Sequence, residues 1–270
     1  MSGDRGPRRR VTDERGPRRR GANRSDAAVV TGRRPVLEAV RAGLASQVFV
    51  ARGARATPGL QDVFEAAEAA GVPVVEADRA ELDAMGPDHH GAAARVRLPE
   101  TLGERELAER AFGEDDLVVV LDGIEDPQNL GASARSAEAA GAAVLVTRVR
   151  RAADVTPAAI RASAGALLHL PHARVANIAR ALERLKDAGF TVVGLDEHAP
   201  SSVYDASGLE GRIAVVVGSE GSGLARLTRE ACDVLVSLPM RGRVGSLNAA
   251  SSLAALLYAA VVPTRARNYN

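Results

Sequence analysis

Two hydrophobic patterns alternate along most of the chain. Runs such as LVVVLDG (Leu117–Gly123) and IAVVVG (Ile213–Gly218) are apolar at consecutive positions, as strands buried on both faces of a parallel sheet must be. AAVLVT, FTVVGL and DVLVSL repeat that character at 142–147, 190–195 and 233–238. Between them lie helix-period segments. Asn129 is placed as the N-cap of a helix Leu130–Ala140 ended by Gly141, another helix surrounds Pro157–Ala164, and others cover Val175–Ala188 and Arg226–Glu230. The chain closes on LPMRGRVGSLNAASSLAALLYAA (Leu238–Ala260), a glycine- and arginine-bearing loop entering a helix apolar enough to be buried. Strands alternating with helices predict an α/β domain with a mostly parallel sheet over residues 117–263.

A smaller αβαβαβ unit is expected within residues 27–98. GRRPVLEAVRAG reads as a helix with Val36, Leu37 and Val40 on one face, and strands follow at Gln47–Ala51, 72–77 and Ala93–Leu98. Leu60–Ala70 is a second helix and Asp78 caps a third. His89 and His90 fall in a turn as exposed residues. Residues 99–116, charged and poor in large apolar groups, suit a linker with at most a short helix. Residues 264–270 form a short tail.

Charge changes the picture only at the N-terminus. The net formal charge is +1, yet residues 1–26 hold nine arginines against four acidic residues, in an imperfect repeat DRGPRRR/ERGPRRR. With nothing to bury, this stretch is expected to be a disordered arm suited to a polyanion such as RNA. Aromatic residues are 3% of the chain and Trp is absent, so Ala, Val and Leu must fill the core. The one cysteine, Cys232, excludes an intramolecular disulfide and reads as a small core residue of the last strand. There is no apolar segment of membrane-spanning or secretory type, so a cytoplasmic protein is expected.

The candidate chemistry sits in three loops that follow strand ends, where open α/β sheets bind ligands. They are DGIEDPQNLGASAR (Asp122–Arg135), GSEGSGL (Gly218–Leu224) and PMRGRVGSLN (Pro239–Asn248). The glycines of the second run G-x-x-G-x-G, not G-x-G-x-x-G, which disfavours a nicotinamide dinucleotide. No Walker motif and no zinc-spaced Cys/His cluster occurs, so no metal is expected. His169 and His172 read as hydrogen-bonded structural residues and His198 as a surface residue.

NLGASARSAEAAG, VVVGSEGSGL and LPMRGRVGSLNAA together resemble the three motifs of the SpoU/TrmH family of RNA ribose 2′-O-methyltransferases. The resemblance runs from about Gly32 to Val262. It implies a SPOUT-type parallel sheet with a C-terminal trefoil knot, behind a small ribosomal-protein-like RNA-binding domain. It also implies S-adenosylmethionine as cofactor, held by Gly218, Leu238 and Leu247, and a homodimer with its site near the subunit interface. Asn129, Arg135, Glu220, Ser246 and Asn248 are the implied catalytic set, with Asn129, Ser246 and Asn248 orienting Arg135 and the ribose. The N-terminal module is similar to that of the branch that methylates guanosine in 23S rRNA. A transfer RNA target, an antibiotic-resistance type of rRNA methylation and a non-catalytic RNA-binding assembly factor remain open at this point.

Overall fold

The computed structural model describes residues 27–53, 57, 59–205, 209–243 and 245–263. The arginine-rich arm and the tail expected at residues 264–270 lie outside them.

The N-terminal module runs β1 (Ala27–Thr31), α1 (Arg33–Arg41), β2 (Ala45–Ala51), α2 (Gln61–Ala69), β3 (Val74–Ala77), α3 (Arg79–Met85) and β4 (Ala92–Arg97). The sheet order is β1-β4-β2-β3, with only β2 and β3 parallel. Strand β1 is the element the sequence reading lacks. Its five residues carry too short a pattern to declare themselves, and β4 supplies the pairing that fixes them. Helix α1 buries Pro35, Val36, Leu37, Ala39 and Val40. Asp78 caps α3 in a reciprocal box: Glu81 N donates to its carboxylate at 2.9 Å, and Asp78 N donates to Glu81 Oε2 at 2.8 Å. His89 is not an exposed loop residue. Its side chain is 15% exposed, its Nε2 lies 3.0 Å from Asp83 Oδ1, and its Nδ1 accepts from Gly91 N. His90 is exposed, as expected.

The stretch expected to be a linker is fastened to the larger sheet. Leu102 N donates to His172 O and Leu102 O accepts from Arg174 N, both at 2.8 Å, before α4 (Glu104–Glu109) buries Leu107.

The larger unit comprises β5 (Leu117–Asp122), α5 (Pro127–Ala139), β6 (Ala142–Arg148), α6 (Pro157–Ala162), β7 (His172–Val175), α7 (Ile178–Asp187), β8 (Thr191–Leu195), β9 (Ser201–Ser202), β10 (Ile213–Gly218), α8 (Arg226–Glu230), β11 (Val234–Ser237) and α9 (Ala249–Leu256). Among the described residues its seven strands are all parallel, in the order β7-β6-β5-β10-β8-β11-β9. The pleat divides their side chains between two cores. Leu117, Val119 and Leu121 of β5 face the α5 and α9 side with Ile213, Val215 and Val217 of β10. Val118, Val120, Ala214 and Val216 join the opposite core, where α7 contributes Ile178, Leu182 and Leu185. Both faces are covered, which is why these strands read as continuous apolar runs.

Three sequence expectations are corrected here. Val175 ends β7 instead of opening a helix; α7 starts after Asn177, whose side chain accepts from Arg180 N at 3.2 Å. Helix α5 starts at Pro127, capped by Asp126 and not by Asn129. Cys232 precedes β11, half-buried, with its thiol donating to Thr228 O. Burial first, then the negative charge of Asp233, pushes that thiol up to about 12.

The two units share one core. Val36 and Leu37 of α1 belong to the same buried cluster as Ile160 and Leu167. At this junction His169 Nε2 lies 3.0 Å from Glu38 Oε2.

His172 supplies a pH-dependent component of stability. It is 4% exposed, and its Nε2 pairs with Thr147 Oγ1 at 2.8 Å. Burial, and then the Arg174 guanidinium, lower its pKa from the ordinary 6.5 to about 4. The unfolded chain takes up this proton near pH 6.5 and the folded chain only near pH 4, so stability present above that window is lost as pH falls through it. Between pH 7 and pH 5 the wild type is expected to lose about 2 kcal/mol more than His172→Gln in denaturant unfolding. Equal losses would remove His172 from the account.

Candidate active site

The three motif loops emerge at the C-terminal ends of β5, β10 and β11. Strands β5 and β10 are neighbours, with Gly218 paired to Asp122, so the first two loops start side by side.

Asp126 and Pro127 decide how the first loop becomes a helix. The Asp126 carboxylate accepts from Gln128 N at 3.1 Å and Asn129 N at 3.4 Å, and Pro127 has no N–H to lose at the first position. With capping done by Asp126, the Asn129 side chain is free to turn outward. Two residues on, Gly131 lets α6 approach closely: a Cβ there would lie 2.5 Å from Ala159 O and from Ala162 Cβ.

The second loop folds back on itself. A Cβ on Gly218 would lie 2.1 Å from the backbone C and O of Gly223 and 2.4 Å from Leu224 N. Asp122, 3% exposed, ties the loop's far end to the sheet by accepting from Ala225 N at 3.1 Å. Its other oxygen lies 3.1 Å from Arg148 Nε, a charge contact without hydrogen-bond alignment. In the third loop Asn248 caps α9: its Oδ1 accepts from Ala250 N at 3.0 Å and Ser251 N at 3.2 Å.

These positions bring three of the five candidate catalytic residues together. Glu220 Oε1 accepts from Asn129 Nδ2 at 2.9 Å, from Asn248 Nδ2 at 2.7 Å and from Ala249 N at 3.4 Å. Asn248 Nδ2 also donates to Asn129 Oδ1 at 2.7 Å. The carboxylate thus sits over the amino terminus of α9, where the free N–H groups and the helix dipole favour negative charge. Among the described residues Glu220 Oε2 has no partner, and Glu220 is exposed, so the cluster keeps one open acceptor.

Ser246 and Arg135 stand apart. Ser246 is exposed with no hydrogen-bond partner among the described residues; it lines the adjacent cavity. Arg135 is exposed on α5 and makes no hydrogen bond or ion pair among the described residues. Six positions along a helix turn it about 120° away from Asn129. The expected hydrogen bonds from Asn129, Ser246 and Asn248 to Arg135 are therefore not formed within the chain, because the amides pair with each other and with Glu220.

Beside the cluster lies a cavity of about 360 Å³ between the folded-back glycine loop and the third loop. Gly218, Leu238 and Leu247 all line it, as do Glu220 and Ser246. Leu247 is 45% exposed and Met240 39% exposed at its rim. Apolar side chains held open beside a few convergent polar groups suit a flat, partly apolar ligand.

The sequence reading did not pick out Asp122, Asp126 and Gly131 as site-building residues. Two signals were present: Asp-Pro before an apolar-periodic segment marks a helix start, and a glycine inside a helix marks close approach.

Residues 116–258 match the SpoU rRNA Methylase family, and residues 29–102 match a family described as RNA 2′-O ribose methyltransferase substrate binding. The chain belongs to the SpoU rRNA methylase family. An uncharacterised tRNA/rRNA methyltransferase of Mycolicibacterium vanbaalenii is 42% identical over 237 residues, covering 86% of this chain and 75% of the relative. A crystal structure of an RNA 2′-O ribose methyltransferase superposes with a TM-score of 0.76 at 31% identity, covering 89% of this chain and 90% of that one. The SpoU methyltransferase AviRb from Streptomyces viridochromogenes, in complex with AdoMet, gives a TM-score of 0.71 at 29% identity over 92% of this chain and 93% of its own. The α/β fold and RNA methyltransferase class expected from the sequence are those of the SpoU family.

Proposed function

We propose that this chain transfers a methyl group from S-adenosylmethionine to a ribose 2′-hydroxyl of RNA, at a guanosine of 23S rRNA. The observation that carries the reading is the Asn129–Glu220–Asn248 cluster beside a cavity lined by Gly218, Leu238 and Leu247. The match of residues 29–102 to a 2′-O ribose methyltransferase substrate-binding family supports ribose as the target group.

The cavity fits the cofactor in kind. Leu247 and Met240 offer apolar cover for a flat base, and the absence of a side chain on Gly218 keeps the folded-back loop in place. Bound there, S-adenosylmethionine supplies an electrophilic methyl group. The remaining work is to hold a poor nucleophile in line and stabilise its developing alkoxide. Glu220 Oε2 is the open acceptor for a ribose hydroxyl, with Asn129 and Asn248 fixing the carboxylate. Arg135 holds a phosphate and stabilises the oxyanion; a guanidinium stays protonated in proteins and is a poor base.

A homodimer belongs to the same reading. Arg135 has no side-chain hydrogen bond or ion pair among the described residues and lies around α5 from the cluster, which suits RNA contact at an interface shared by two copies. The trefoil knot is likewise inferred, from the family and from the burial of Leu253, Leu256, Leu257 and Val261 in the closing segment.

Mapping ribose methylation in total RNA with and without the gene tests the target. A single lost guanosine mark in 23S rRNA is expected. A mark lost from transfer RNA would redirect the reading, and an unchanged map would sink it.

A further inference from the structure

A second cleft, of about 570 Å³, lies between the start of α1 and the ends of α5 and α6 that face it. Its lining carries Arg33, Arg34 and Arg161 against one carboxylate, Asp88. Gln128, next in sequence to Asn129, also lines it, so the cleft borders the first turn of α5, the turn that carries Asn129.

Arg161 is fixed in place. Its Nη1 donates to Thr31 Oγ1 at 3.4 Å, and that buried hydroxyl donates onward to Pro87 O at 2.8 Å. Its charge is poorly matched: Nε reaches Asp88 Oδ2 only at 4.0 Å, and the Asp88 side chain is 70% exposed. Such a long, solvated pair contributes little and is easily exchanged for a better anion. Arg34 is exposed and has no hydrogen-bond or ion-pair partner among the described residues. Arg33 is partly committed, donating from Nε to His90 O at 2.9 Å.

We propose that this cleft binds the sugar–phosphate backbone of the RNA beside the methylated nucleotide, with Arg34 and Arg161 as its two phosphate contacts. The inference rests on the RNA-methylating reading above and adds to it a path for the strand between the N-terminal module and the site. Guanidinium groups suit this work because their planar fork matches phosphate oxygens. A phosphate displaces Asp88 from Arg161 and gives Arg34 its counter-charge. Base identity is not read here; the two arginines set the position of the strand.

The test is filter binding of in-vitro transcribed 23S rRNA, and of a mixed-sequence single-stranded oligoribonucleotide, across 50–200 mM salt. Each phosphate contact on a single strand contributes about 0.7 to the slope of log affinity against log salt. Arg34→Ala, which removes no side-chain hydrogen bond or ion pair among the described residues, is expected to lower that slope by about 0.7 on the oligonucleotide, and the Arg34→Ala/Arg161→Ala pair by about 1.4. The KM for RNA should rise with kcat little changed, and S-adenosylmethionine affinity should be untouched. Asp88→Asn separates phosphate binding by Arg161 from a structural role of the Arg161–Asp88 pair. It should bind RNA as tightly as the wild type or more tightly, because it removes the competing carboxylate. Unchanged slopes, or an Asp88→Asn variant that weakens RNA binding as Arg161→Ala does, would overturn the proposal. Binding is read without turnover, so a wrong rRNA target in the mapping experiment leaves this result standing. A wild-type chain with no salt-dependent affinity for either RNA would end both readings.

Discussion

Gly218→Ala is expected to weaken S-adenosylmethionine binding by about 10- to 100-fold and to lower the melting temperature by several degrees. The added Cβ would meet the Gly223 carbonyl at 2.1 Å and Leu224 N at 2.4 Å, both backbone. No rotamer change relieves that. Strand β10 is pinned at this point by its pairing with β5, so the glycine loop must move. Moving it draws Glu220 away from Asn129 and Asn248 and reshapes the cavity wall that Gly218, Glu220 and Leu224 form. Overpacking of this kind costs about 1–3 kcal/mol, and each 1.4 kcal/mol is about tenfold in affinity. For a chain of this size 1 kcal/mol corresponds to roughly 2–4 °C. Calorimetric titration and thermal melting read the two effects. Affinity within twofold of wild type would show that the loop does not shape the cofactor site.

Arg135→Ala is expected to lower methyl transfer by about 100- to 1,000-fold, the usual effect of removing one donor from a developing oxyanion. Folding and cofactor affinity should stay at wild-type levels. The side chain is exposed and makes no hydrogen bond or ion pair among the described residues, so its loss leaves nothing unsatisfied. Arg135→Lys divides the two parts of the proposed role. A lysine keeps the charge but not the fork, so a phosphate-holding role predicts a raised KM for RNA with most of kcat retained. An alkoxide-stabilising role predicts that kcat falls. Near-normal turnover of Arg135→Ala would refute any role in the chemistry.

How much of this was legible in the sequence varied with the length of the pattern. LVVVLD and IAVVVG were readable as central strands because both their faces are buried, which leaves five apolar residues before the acid Asp122 at the ligand end of the first and six apolar or small residues in the second. Strands β1 and β7 were not. AAVVT is short, and HARV ends where an amphipathic helix pattern begins, so Val175 was absorbed into it. Only the cap reading of Asn129 fails. As a cap it would have spent its side chain on its own helix; because Asp126 does that work, Asn129 reaches a residue 91 positions away. No local pattern carries a pairing of that range. The three motifs marked which loops matter, whereas the separation of Arg135 from the polar cluster followed only from the helix phase once α5 was placed.

The attachment of Leu102 beside β7 also bears on how the sheet ends. A terminal strand with bare N–H and C=O groups is a template for another chain. Here the bonds to His172 O and from Arg174 N occupy part of that rim, and Leu107 of α4 lies in the core beneath. The segment joining the two units therefore works as a selvedge for the parallel sheet. A chain cut at residue 116 would lose it and bare the β7 rim, making self-association the expected cost of separating the units.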